Sequence, residues 1–351
     1  MDTWATSSLT PQLAGGWERD NELFDLVFPY DLRPQGQDII RTWLFSTVLR
    51  SDLELDALPW RHTGISGWIL DPERKKMSKS KGNVVTPADI LDKHGTDAVR
   101  YWAASSRLGA DAAFDPQNPT QVKIGRRLAI KVLNAAKFVL SFPVPEGARI
   151  THALDASMLA TLDDVVREAT KAFDAYDHAR ALEVTEAFFW TFCDDYLELV
   201  KERAYDRTDA GQPSAALALR LALSTLLRLL APVLAFAAEE SWSWFEEGSV
   251  HSAPWPEPQG YLDAVDAAGD RTVLTTVSEA LIGIRRAKTE AKVSQKTAVT
   301  TLTIAAPAAA TEALRAAEGD LRAVGRIDEI VYAEGETVAV SDIVLAPVEE
   351  A

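Results

Sequence analysis

Arg74-Lys75-Lys76-Met77-Ser78-Lys79-Ser80-Lys81-Gly82-Asn83 places five cationic side chains in eight residues, within a 351-residue chain of formal net charge −16. The run continues through Val84-Val85-Thr86-Pro87-Ala88-Asp89, where Thr86 reads as a helix N-cap and Pro87 as a first helical residue. A basic, hydroxyl-rich, glycine-ended loop beside a helix start suits a polyphosphate. The plain alternative is a solvated basic loop. The order Lys-Met-Ser-Lys-Ser followed by Lys-Gly-Asn-Val argues against it.

The chemistry of such a loop can be stated from its residues. When a carboxylate attacks the α-phosphorus of ATP, negative charge builds on the departing pyrophosphate, and nearby ammonium groups lower that barrier. Lys76 and Lys79 are placed to clamp the β- and γ-phosphates. Met77 lies between them, Ser78 and Ser80 supply hydrogen bonds, and Gly82 allows close backbone approach. A P-loop is not the explanation, because Gly-x-x-x-x-Gly-Lys-Ser/Thr does not occur. Upstream, Gly36-Gln37-Asp38 pairs a glycine with a carboxylate at a helix start, which suits a ribose. Alone, that spacing is equally that of a turn followed by a helix cap.

Composition bounds the rest. With 47% hydrophobic and 25% charged residues the chain reads as globular, long enough for two or three domains. A single cysteine, Cys193, excludes an intramolecular disulfide and fits a reducing, cytoplasmic compartment. Neither a secretory signal nor a metal cluster is expected. Ala215 to Ala238 is apolar and near spanning length, but Arg220, Arg228 and Pro232 interrupt it. A buried helix ending near Pro232 is expected, not a membrane span. The acidic total disfavours bulk attraction to nucleic acid and leaves room for local basic faces.

Three regions follow. Residues 1–115 mix short apolar strands with helices, with strands expected at Leu26-Val27-Phe28 and from Ile65 to Leu70. An amphipathic helix from Asp38 to about Ser51 carries Ile40, Trp43, Leu44 and Val48. Residues 116–262 show apolar stripes at helical spacing, among them Leu128/Val132/Ala135/Val139 and Phe188/Phe189/Phe192/Tyr196, so a helix bundle is expected. Residues 263–351 suggest a helix to about Ala291, then strands near Thr301–Ile304, Glu329–Tyr332 and Val338–Val340 around a helix from Ala309 to Val324. The predicted fold class is therefore α/β, a partial Rossmann-like nucleotide-binding fold, followed by an all-α bundle and a small α+β tail.

Several ordered elements resemble one family. Lys76 to Ser80 is similar to the KMSKS signature of class I aminoacyl-tRNA synthetases. Asp2-Thr3-Trp4, Ser7-Ser8-Leu9-Thr10-Pro11 and Gly36-Gln37-Asp38-Ile39-Ile40 ending at Trp43 resemble the second half of the catalytic domain in its valyl-tRNA members. Asn134-Ala135-Ala136-Lys137-Phe138, the run from Phe188 to Glu198, Leu229-Leu230-Ala231-Pro232 and Glu239-Glu240-Ser241-Trp242 resemble that family's anticodon-binding bundle. The resemblance spans roughly residues 1 to 300. It implies a valine–tRNA ligase that uses ATP and Mg²⁺ to form valyl-adenylate and passes the valyl group to tRNA-Val.

By the same resemblance, Lys76 and Lys79 stabilise the leaving pyrophosphate, Gly36 and Asp38 hold the adenosine ribose, and Trp4, Ile39 and Trp43 line a short apolar slot for valine. Polar contacts to tRNA are expected among Arg126, Arg127, Lys131, Arg285, Arg286 and Lys288. Other elements of the family are missing. None of the five histidines forms the His-x-x-His of the first nucleotide-binding half, and no editing domain is recognisable. The expectation is of a C-terminal part, inactive alone, that needs the N-terminal half of the enzyme as a partner. A non-catalytic tRNA-binding module or one half of a split synthetase is the alternative, and an isoleucyl-type chain the second. The latter lacks support at Gly36, where Gly-Ser-Asp-Gln-His would be expected.

Overall fold

The computed structural model describes residues 3–78, 80, 82–265 and 269–346. The first region begins with three short helices, α1 (Thr3–Ser7), α2 (Thr10–Gly15) and α3 (Asn21–Val27). The third corrects the strand expected at Leu26-Val27-Phe28. Asp20 caps α3 by accepting from the Leu23 amide, and that cap signal outweighs the short apolar run. Strand β1 (Tyr30–Gly36) follows, and helix α4 (Phe45–Leu55) is entered through a 3-10 turn at Gln37–Ile39 and a π turn at Ile40–Leu44. The single amphipathic helix expected from Asp38 is thus three segments. The π turn carries Trp43 inward while Ile40 stays partly exposed.

Strand β2 (Trp60–Ser66) pairs in parallel with β1, matching Tyr30 to Trp60 and Gly36 to Ser66. Two-residue strands β3 (Ile69–Leu70) and β4 (Ala112–Ala113) pair in parallel nearby. Gly67, between β2 and β3, is required: a Cβ there would lie 2.0 Å from the Ala110 carbonyl oxygen. Helix α5 (Ala88–His94) starts one residue later than expected, with Pro87 in the capping position and no side-chain cap from Thr86. Helix α6 (Thr96–Ala104) follows.

The next region is helical: α7 (Thr120–Leu140), α8 (Ala153–Asp174), α9 (His178–Thr191), a π turn at Phe192–Tyr196, α10 (Leu197–Leu199), α11 (Lys201–Tyr205), α12 (Gln212–Leu230) and α13 (Ala235–Trp242). The stripes read from the sequence face inward, and Leu128, Val132, Phe192, Tyr196 and Leu199 are buried completely or nearly so. By length and composition α12 could cross a membrane, yet 61% of its apolar stretch is buried inside the protein. Arg228 is accommodated by donating to the carbonyls of Ser224 and Pro254.

Helix α14 (Arg271–Glu290) leads to a sheet with β5 (Val299–Ala306) at its centre. Helices α15 (Ala308–Ala316) and α16 (Glu318–Gly325) stand where one helix was expected, before β6 (Ile327–Glu334) and β7 (Ala339–Leu345). β6 pairs with β5 in parallel and β7 in antiparallel fashion. One hydrophobic core runs from the helices through α14 into this sheet. At their junction Arg203 is 7% exposed and meets Asp155 at 2.8 Å and Asp320 at 2.9 Å. Asp155 also accepts from Tyr196 and Ser214.

Helix α6 ties the first region to the helices. Its Tyr101 packs directly on Gly125 of α7 and donates to Glu186 at 2.7 Å. Its Asp97 accepts from the amides of Phe236 and Ala237 at the start of α13, satisfying donors that a helix end leaves open. By contrast, α4 turns Phe45, Leu49 and Leu53, spaced four apart on one face, toward solvent, and Leu26 and Leu58 are also exposed. An apolar stripe of that kind marks a surface built for contact.

Candidate active site

Gly36 ends β1, and Asp38 stands two residues on in the 3-10 turn. A Cβ at Gly36 would come 2.9 Å from Asp38 Oδ1, so the glycine leaves that carboxylate room. The basic loop leaves β3 and returns across it, with an isolated antiparallel bridge between Leu70 and Lys76. This brings Lys76 Nζ to 3.7 Å from Asp38 Oδ2 and 4.3 Å from the centre of the Trp68 ring. The structure therefore joins two candidate residues that stand far apart in sequence. Both side chains are about half exposed, so an incoming ligand can reach them.

Two residues not singled out from sequence organise the loop. Asp71 Oδ1 accepts from the amides of Glu73 and Lys75, and Asp71 Oδ2 accepts from Asn83 Nδ2 at 2.8 Å. Asn83 Oδ1 in turn accepts from the Ser78 amide at 2.9 Å. The Asn83 hydrogen bond, then that of the Lys75 amide, hold the Asp71 carboxyl below its ordinary value. A legible signal existed: Asp before Pro72 fits a side-chain-stabilised turn. Ser78 Oγ lies 3.2 Å from Ser80 Oγ, and Met77 packs on the small core of Ile90, Ala98, Phe114 and Val122. Gly82 takes a left-handed φ of 68°. Lys79 lies outside the described residues.

The three residues expected around valine are less uniform than their chemistry suggested. Trp43 is 5% exposed, stacks on Trp60 at 5.6 Å and has the Arg33 guanidinium 3.9 Å from its ring centre. Its indole N–H donates to the Ser7 carbonyl at 2.9 Å, and Arg50 donates to the Ala5 carbonyl and to Ser8 Oγ. These bonds dock α1, which carries the half-exposed Trp4, against the helix that follows Ile39.

The basic candidates separate sharply. Lys288 is corrected: it is 1% exposed, and its ammonium donates to the carbonyls of Gln295, Thr297 and Gly325, so it serves the packing of α14 on the tail. Burial lowers its pKa, with Arg326 adding to the effect. Arg285 is engaged by Asp195 and the Asp194 carbonyl, Lys131 by Asp194, and Arg286 by Glu290. Arg126 and Arg127 differ. Arg126 donates to the Lys93 carbonyl and Arg127 lies 5.4 Å from the Trp190 ring centre. Lys93, His94 and Lys123 line the same groove with Ile130. Among the described residues no carboxylate forms an ion pair with Lys93, Lys123, Arg126 or Arg127. Burial first, then Lys93, Arg126 and Lys123, depress the His94 pKa.

Comparison with known proteins decides the family. The description "tRNA synthetases class I (I, L, M and V)" matches residues 1–115, and "Anticodon-binding domain of tRNA ligase" matches residues 155–304. The valine–tRNA ligase of Leifsonia xyli subsp. xyli is 65% identical over the whole of this chain, which covers 41% of that protein. That of Thermobifida fusca is 57% identical over the whole chain, covering 40% of its own length. The chain belongs to the valine branch of the class I aminoacyl-tRNA synthetases.

It spans about two fifths of the length of these curated relatives. Among solved structures, Mycobacterium tuberculosis methionyl-tRNA synthetase bound by methionyl-adenylate is 25% identical, with a TM-score of 0.53 over 66% of this synthetase chain and 48% of that one. The leucyl enzyme of Agrobacterium radiobacter K84, in a ternary complex with tRNA and LeuAMS, shares the fold at 21% identity, with a TM-score of 0.57 over 75% and 34% of the two chains.

Proposed function

We propose that these residues are the part of a valine–tRNA ligase that grips the sugar and polyphosphate of ATP and carries the tRNA-binding helices. In the whole enzyme valine would attack the α-phosphorus of ATP, giving valyl-adenylate and pyrophosphate, and the valyl group would pass to tRNA-Val. The observation that carries this reading is the meeting of Asp38 and Lys76 at 3.7 Å. Asp38 accepts the ribose hydroxyls, and Lys76, with Lys79, neutralises charge on the leaving pyrophosphate. Ser78 and Ser80 hydrogen-bond beside them. Mg²⁺ would be carried in on the ATP phosphates, where it would offset part of their charge.

Trp4, Ile39 and Trp43 frame the valine side chain in this reading, with Trp43 fixed by Trp60 and Ser7 as the rigid wall. For tRNA, the open basic groove of Arg126 and Arg127 is favoured over Lys131, Arg285 and Arg286, whose charges are already matched by acidic partners. The cytoplasm suits a protein whose one cysteine is buried and whose thiol burial pushes up to about 12.

The 351 residues by themselves contain no His-x-x-His, and we expect no valine-dependent ATP–pyrophosphate exchange from them alone. Filter binding tests the RNA part: tRNA-Val held at least tenfold more tightly than an unrelated tRNA supports it, and equal weak affinity for both rejects it.

A further inference from the structure

Asp38 has two possible partners and one place for them. Among the described residues Lys76 is the sole side chain paired with it, at 3.7 Å, and the same ammonium rests 4.3 Å from the Trp68 ring centre. Trp68 is itself well anchored. Its amide donates to Asp111 Oδ1 at 2.8 Å, and Gly67 before it is wedged against the Ala110 backbone. Its indole N–H is buried without an acceptor, an expense that a purely apolar ring at this position would avoid. The Leu70–Lys76 bridge holds the loop backbone at the same spot.

We propose that Trp68 and Asp38 form a parking site for the Lys76 ammonium, so that a ribose hydroxyl arriving at Asp38 displaces the lysine and frees it for the phosphates. The competition rests on the reading of Asp38 as the ribose residue; the parking site does not. An exposed ion pair and a cation–π contact are each weak, which is what a displaceable hold requires. Trp68 is then a positioning residue: it offers a π face that keeps Lys76 nearby after the carboxylate is taken. Binding of the sugar and delivery of the charge thereby become one exchange.

The test is amine labelling of the purified chain with acetic anhydride, read at Lys76 by mass spectrometry against Lys123 as internal reference. Parking predicts that Trp68→Leu and Asp38→Asn each raise Lys76 labelling about threefold or more, while Trp68→Phe, which retains a π face, stays near wild type. Saturating adenosine, which carries no phosphate, raises Lys76 labelling in the wild type and not in Asp38→Asn. Wild-type labelling in both Trp68→Leu and Asp38→Asn overturns the parking site. Adenosine that binds by calorimetry yet leaves Lys76 labelling unchanged overturns the competition. Raised labelling in both variants with no adenosine binding, even after addition of a polypeptide carrying the part of the Leifsonia xyli relative to which the chain does not align, keeps the parking site and overturns the ribose reading of Asp38.

Discussion

Asn83 donates to Asp71 Oδ2 at 2.8 Å, closing the basic loop at its base. Because Asn83 also accepts from the Ser78 amide, one side chain fixes both the entry and the middle of the loop. Asn83→Ala should raise hydrogen exchange of the Ser78 and Lys75 amides several-fold, as expected for the loss of one or two hydrogen bonds, without moving the melting temperature. The pH dependence follows from the depressed Asp71 carboxyl. A lowered pKa stabilises the fold above the group's ordinary value of 3.8 and is lost as pH falls through the folded value. Loop protection, corrected for intrinsic exchange, should hold from pH 7 to about 4 and fail below.

Gly125 and Tyr101 form a tight joint between the first region and the helices. A Cβ at Gly125 would stand 2.6 Å from Tyr101 Cβ. Gly125→Ala should cost about 1–3 kcal/mol by overpacking, read in a urea titration, and should disturb the Tyr101–Glu186 hydrogen bond. Asp97→Ala, which uncaps α13, should cost about 1 kcal/mol.

Asp155 and Asp320 share Arg203 but do not carry equal weight. Asp155 alone also satisfies Tyr196 and Ser214. Asp155→Ala is expected to cost about 3–5 kcal/mol, the range for breaking a buried pair. Asp320→Ala should cost about 1.5–3 kcal/mol, the loss of charge-assisted hydrogen bonds. Equal costs would show that the two carboxylates are interchangeable.

The tail and bundle were legible as patterns and not as a unit. Apolar stripes such as Leu128/Val132/Ala135/Val139 locate helices because burial follows the 3.6-residue period. Nothing in that period says that Asp320 reaches Arg203 from 117 residues away. The same limit applies at the site. The motif gives Lys76, the glycine-carboxylate spacing gives Asp38, and Asp before Pro72 marks a turn, but Trp68 and the bond between Asp71 and Asn83 gain meaning only in the folded chain. Lys288 shows the converse: its helical neighbours Arg285 and Arg286 are partly and largely exposed, yet its own position faces inward.

If Arg126 and Arg127 meet RNA phosphates, their neutralisation should lower the salt dependence of tRNA binding by about one unit of logarithmic slope each. The His94 pKa starts below its ordinary 6.5 because of burial and its cationic neighbours. A phosphate in the groove would raise it, so binding takes up a proton and tightens as pH falls toward the lowered value of the free histidine. His94→Gln should flatten that dependence. A salt slope unchanged by Arg126→Gln and Arg127→Gln would remove this groove from the tRNA interface.

On the proposed reading, this chain supplies half of a valine-activating site, with Lys76 acting on the ATP phosphates. The most direct test mixes the purified chain with a polypeptide carrying the part of the Leifsonia xyli relative to which it does not align, then measures ATP–pyrophosphate exchange. Exchange should depend on valine, need both polypeptides, and fall at least a hundredfold with Lys76→Ala, the order seen when a charge-stabilising donor is removed. Undiminished exchange with Lys76→Ala, exchange driven by isoleucine in preference to valine, or full exchange by this chain alone would contradict that reading.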